Sequence, residues 1–181
     1  MTTAAGRRRR AALCLLLALT LLLSLLCTGC RTNAITMTPS AFREALTALC
    51  SDDFGAITET EVVDAATSIC KISDRLTLTL YADPVTGLLA RAELSIALDV
   101  DITDLDYASF SYFFLIMLKA YDPNISISSI NTVHDALEIG TYVQGTSTSI
   151  GFGSSTYSYS VTESEARFSA LYIVPAETLD L

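Results

Sequence analysis

Apolar and polar residues alternate with a period of two between Arg75 and Leu98. Leu76, Leu78 and Leu80 interleave with Thr77, Thr79 and Tyr81, and Ala90, Ala92, Leu94, Ile96 and Leu98 interleave with Arg91, Glu93 and Ser95. Successive side chains of a strand point to opposite faces, so each run predicts a strand with one buried and one wetter face. Between them lies Asp83-Pro84-Val85-Thr86-Gly87, in which Pro fixes one φ and Gly accepts a positive φ. The segment therefore predicts an antiparallel hairpin. From Thr141 onward the composition shifts to Ser, Thr, Gly and Tyr. Tyr157, Tyr159 and Val161 alternate with serines, and Phe168, Ala170, Tyr172 and Val174 alternate with Arg167 and Ser169. This predicts two or three further antiparallel strands, with Gly151 to Ser155 as a turn and Glu163-Ser164-Glu165 as a bulge or second turn.

The helical period occupies the remaining segments. Phe42, Ala45, Leu46 and Leu49 share one face of a helix opened by Pro39 and Ser40 and ended by Ser51-Asp52-Asp53. Thr58 with Glu61 reads as a capping box for a second short helix through Val62, Val63 and Ala66. Tyr107 to Leu118 carries no charge and Tyr112 to Leu118 is wholly apolar. A helix that is apolar nearly all round is a buried one, so roughly Leu105 to Tyr121 is expected as the central core helix on the leucine face of the hairpin. Ser128 to Ile139 follows as a short helix, with Gly140 as its C-terminal cap.

One apolar run fits none of these elements. Arg7 to Arg10 precede Ala11 to Cys27, and the run closes on Thr28-Gly29-Cys30. Basic residues, an apolar stretch and a small-residue ending make a secretory signal peptide. Cys27-Thr28-Gly29-Cys30 resembles the lipobox of bacterial lipoproteins. That resemblance implies cleavage before Cys30, diacylglycerol on its sulfur and anchoring to the cell membrane with the chain facing outside the cytoplasm. Residues 1–29 are then the signal peptide, 30–38 a lipidated tether and 39–181 a single α+β domain. A secreted chain without lipid and an uncleaved anchor are the alternatives. The run of about 17 residues is near the lower limit for spanning a bilayer. Arg31 to Thr38 reach at most roughly 28 Å when extended, which keeps the domain close to the bilayer.

Charge narrows the partners. All 20 acidic residues follow Gly29, whereas four of the 11 basic residues precede it, leaving 7 against 20 and a formal charge of −13 from Cys30 onward. So acidic a domain repels phosphate backbones and anionic headgroups, which excludes nucleic acid and leaves the acyl chains to hold the membrane.

Candidate chemistry is sparse. Asp99, Asp101, Asp104 and Asp106 have the density of a Ca²⁺ loop, but Asp104 stands where an EF-hand needs Gly and Phe110 where it needs Glu. Thr103 as an N-cap, with Asp104 and Asp106 at the positive end of the core helix, explains them without metal. His134, the single histidine, shares a helix face with Glu138, and two ligands do not make a metal site. Gly151-Phe152-Gly153-Ser154-Ser155 lacks the lysine and the spacing of a phosphate loop, and no serine sits in a nucleophile elbow. No cofactor motif is present. Cys50 and Cys70, the cysteines left after acylation of Cys30, are candidates for a disulfide outside the cytoplasm. Tyr142, Phe152, Tyr157 and Tyr159 lie among Ser, Thr and Gly, a composition that favours a binding surface.

The pattern predicts an α+β fold: an antiparallel sheet of four to five strands, with a long buried helix and shorter helices mainly on one face. The functional expectation is a membrane-anchored extracytoplasmic lipoprotein that acts as a non-enzymatic binding module for an unidentified protein or surface ligand. The alternative is a small hydrolase using carboxylates near Asp99 and Asp101.

Overall fold

The computed structural model describes residues 36–98 and 102–174. Helix α1 (Pro39–Thr47) comes first, followed by strands β1 (Glu59–Val62), β2 (Thr67–Lys71), β3 (Leu76–Ala82) and β4 (Leu89–Ala97). Helices α2 (Asp104–Tyr121) and α3 (Ile127–Leu137) follow, then strands β5 (Ser147–Phe152), β6 (Ser155–Val161) and β7 (Glu165–Tyr172). The strands form one antiparallel sheet in the order β1-β2-β3-β4-β7-β6-β5. The class is α+β as expected, but the sheet has seven strands rather than four to five.

The register explains the core. Cys70, Leu78, Leu94, Phe168 and Tyr159 lie side by side across five strands, with Leu80, Ala92, Ala170 and Tyr157 in the next row. All of these except Ser68, the β2 member of the second row, are buried on one face. The helices pack on that face. Phe114 of α2 meets Phe168 edge-on at 4.9 Å, Tyr121 stacks on Tyr172 at 3.8 Å, and Phe42 of α1 lies 6.4 Å from Tyr172. The Thr148 hydroxyl, on the same face, donates to the Leu137 carbonyl at the end of α3 (2.8 Å). Aromatic side chains supply much of this contact, each burying a large area with a preferred ring geometry.

No helix among the described residues packs on the opposite face, which is lined by polar side chains such as Thr79, Glu93, Ser169, Ser158 and Ser149 in one row. Near its middle the Tyr81 hydroxyl donates to Glu93 (3.0 Å), Arg91 pairs with Glu93 (3.6 Å), and the Arg91 guanidinium lies 3.9 Å from the centre of the Tyr81 ring. Neighbours of this size leave the Glu93 side chain only 12% exposed.

Local signals act at several element ends. Thr103 accepts from the Asp106 N–H while Asp106 accepts from the Thr103 N–H, so the capping box opens α2. Asp83 accepts from the N–H groups of Val85 and Thr86 and closes the β3–β4 turn, where Gly87 has φ 69°. Three expectations are corrected. Residues 58–66 form no second helix; they make β1 and the turn into β2, because Asp64 accepts from the Ala66 N–H (2.7 Å) and β-branched Val62 and Val63 suit an extended chain. Helix α3 ends at Leu137, with Glu138 at φ 56° taking the left-handed position expected of Gly140. Strand β5 runs through Phe152, leaving only Gly153 and Ser154 as the turn.

Candidate functional site

The helix layer stops short of the β1 edge. Val62 lies on the helix-bearing face, in register with Ser68 and so with Leu80, yet it is 73% exposed. The uncovered ground is a cleft of about 430 Å³. One wall is the start of α1, with Thr38, Ser40 and Arg43. The other is the β1–β2 turn, with Asp64, Ala65 and Ala66. The floor is Val62, Thr67, Ser68, Leu80 and Ala82. Small side chains at 65, 66, 68 and 82 leave the space open. The volume lies within the range of small-molecule sites, and the lining mixes apolar residues with Thr38, Ser40 and Ser68, the Thr38 and Ser40 hydroxyls lying 3.0 Å apart.

Arg43 sets the electrostatics. It follows Phe42, one of the two α1 residues fully buried in the core, and so leaves the helix on its flank, half-buried and facing the cleft. Every other cation among the described residues has a partner. Lys71 pairs with Asp74 (3.0 Å), Arg91 with Glu93 and Arg167 with Glu165; Lys119 donates to the Ile125 carbonyl (2.6 Å); Arg75 is also engaged, its charge helping to hold the Asp106 carboxyl down. The Arg43 guanidinium has no ion pair or hydrogen bond to the described residues. Its charge acts on Cys70, where burial pushes the thiol up and the Thr60 hydroxyl and Arg43 pull it back. Asp64 on the opposite wall is occupied by its own turn, and the Ala66 N–H holds its carboxyl below the usual range. Thr38 caps α1 by accepting from the Ala41 N–H, which leaves the Ser40 N–H at the positive end of the helix beside the same cleft.

The residues singled out in the sequence lie elsewhere. Tyr157 and Tyr159 are 4% and 0% exposed, because their positions in β6 face the helices; they are core side chains and form no surface. Tyr142 and Phe152 are partly buried against the same core, with Tyr142 4.2 Å from Tyr107. Cys50 and Cys70 are free thiols. Cys70 sits in mid-strand on the buried face, accepting from the Thr60 hydroxyl, and Cys50 follows α1 with its thiol directed to the Leu46 carbonyl. His134 contacts Asp135 (3.2 Å) and lies 5.8 Å from Phe114, while Glu138 has left the helix. Among the described residues no group of three or more His, Cys, Asp or Glu is gathered for a metal, and no helix is long and apolar enough to cross a membrane. Asp104 and Asp106 open α2. Cys30, Asp99 and Asp101 lie outside the described residues.

Sequence reasoning missed Arg43 because nothing local marks it. A single arginine in an amphipathic helix reads as a solvated position, and only the sheet register shows that its flank overlooks an uncovered edge. Comparison of the chain with protein-family models, with curated proteins and with solved structures returns no match.

Proposed function

We propose that this chain is an extracytoplasmic lipoprotein, acylated at Cys30 and held at the cell membrane, whose folded domain is a non-enzymatic binding module. The location rests on the leader, with its arginines, apolar run and Thr28-Gly29-Cys30 ending. The observation that carries the binding reading is the cleft beside α1, which joins an apolar floor, hydroxyls on its walls and one arginine without a carboxylate partner among the described residues. Two acyl chains on Cys30 would hold an acidic domain to the bilayer without help from charge, since each buried CH₂ contributes about 0.8 kcal/mol.

Intact mass spectrometry of the membrane-extracted protein tests the location. The expected species begins at Cys30 and carries a diacylglycerol, and Cys30→Ser is expected to leave the precursor unprocessed or to release the protein from the membrane. A Cys30→Ser protein that still begins at residue 30 and still carries acyl chains would refute this assignment.

A further inference from the structure

We propose that the cleft beside α1 binds the carboxylate end of a small apolar ligand, with Arg43 as the recognition residue. The inference rests on the binding-module reading and adds a ligand class to it. Three observations carry it. First, this chain has 20 acids and 7 bases after Gly29, so an arginine without a carboxylate partner among the described residues is an exception that the composition works against. Second, that arginine lines the cleft, half-buried at the flank of α1. Third, Val62, Leu80 and Ala82 line the cleft as well and can accept an aliphatic body.

The charge of the ligand follows from the same residues. A guanidinium presents paired N–H donors in a planar fork that matches a carboxylate. Arg43 supplies one positive charge, and the Ser40 N–H at the start of α1 adds a partial one. The acidic field of the domain, and Asp64 on the facing wall, oppose anything more negative. A monocarboxylate satisfies this balance and a phosphate dianion does not. The same chemistry belongs to a free short-chain carboxylic acid and to the C-terminus of a peptide.

Equilibrium dialysis of the full-length, detergent-extracted protein separates the two sources. The probes are butyrate, butyramide, and acetyl-Ala-Ala as the free acid and as the amide. Saturable binding of one acid per chain is expected at millimolar or lower concentration, with neither amide binding. Preference for butyrate assigns a free acid, and preference for the acetyl-Ala-Ala acid assigns a peptide end. Loss of a hydrogen-bonded charge predicts that Arg43→Gln weakens binding about tenfold to a hundredfold. Arg43→Lys is expected to retain part of the affinity, Ser68→Leu to block the cleft, and Arg91→Gln on the far face to change nothing. Amides that bind as well as acids, acids that do not saturate, or an Arg43→Gln protein of unchanged affinity and unchanged thermal midpoint would overturn the proposal. An acylated chain that binds none of these probes loses the carboxylate assignment and keeps its membrane location, so the two failures are told apart.

Discussion

Tyr172→Phe should stabilise this protein. Tyr172 is 5% exposed near the end of β7, stacked on Tyr121 at 3.8 Å and tilted against Phe42 at 6.4 Å. Its hydroxyl is buried and meets no hydrogen-bond partner among the described residues, and burial pushes its pKa well up. A buried polar group without a partner costs about 1–3 kcal/mol in lost hydration. Phenylalanine keeps the ring, the stack and the volume, and removes only the group that bears this cost. Allowing for the small void left behind, the gain should be about 1–2 kcal/mol. For a domain of this size that raises the thermal midpoint by about 2–4 °C per kcal/mol. Tyr159→Phe is the control: its hydroxyl donates to the Thr141 carbonyl (3.2 Å), so the same change should cost about 0.5–1.5 kcal/mol. Urea unfolding followed by far-ultraviolet circular dichroism suits a chain with no tryptophan, because the signal does not depend on the tyrosine being replaced. A lower midpoint for Tyr172→Phe with an unchanged urea slope would mean that the hydroxyl has a partner, and would refute the reasoning.

Two further outcomes follow from the same structure. Thr103→Ala removes the hydroxyl that accepts from the Asp106 N–H and donates to the Asp106 carboxylate, keeps the backbone N–H from which that carboxylate also accepts, and should cost about 1 kcal/mol in urea unfolding; because the Thr103 hydroxyl is the largest influence holding the Asp106 carboxyl below its usual range, that part of the contribution is present above about pH 4 and fades as pH falls further, so the gap between variant and parent should narrow in acid. Burial pushes Tyr159 up to about 12 and raises Tyr142, Tyr157 and Tyr172 as well, while an unfolded tyrosine ionises near pH 10; their stabilisation is therefore complete below about pH 10 and is lost as pH rises through 10 towards 12, which a thermal-midpoint titration should record as a steepening fall.

What the sequence discloses follows the range of the forces involved. The β3–β4 hairpin was legible because its alternation and its Asp83–Gly87 turn are local, and α2 because no surface helix would be so uniformly apolar. Thr103 and Asp106 could be read as a cap for the same reason. The β1–β2 hairpin was not legible: Thr58 and Glu61 have capping-box spacing, and only pairing of Glu59–Val62 with Ser68–Lys71 decides the outcome. The tyrosines of β6 were misplaced because alternation reveals that two faces exist without saying which one the helices cover. Arg43 was invisible as a site residue, since its meaning depends on strands about 20 to 40 positions away.

The order of the strands divides the sheet into two meanders, β1 to β4 and β5 to β7, joined only where β4 pairs with β7. Within each meander, neighbouring strands are connected through short turns. Across the seam, Ala97 pairs with Glu165 over 67 intervening residues. Closing that span costs about 2 kcal/mol more entropy than closing the six-residue β3–β4 turn. Long-range pairing of this kind slows folding, so the seam is the late event and each meander the early one. Until β7 arrives, β4 is an edge with Leu94 and Ile96 on its apolar side. Helix α2 follows β4 in the chain and lies on that face in the finished fold, so the residues that shield the waiting edge are synthesised directly after it.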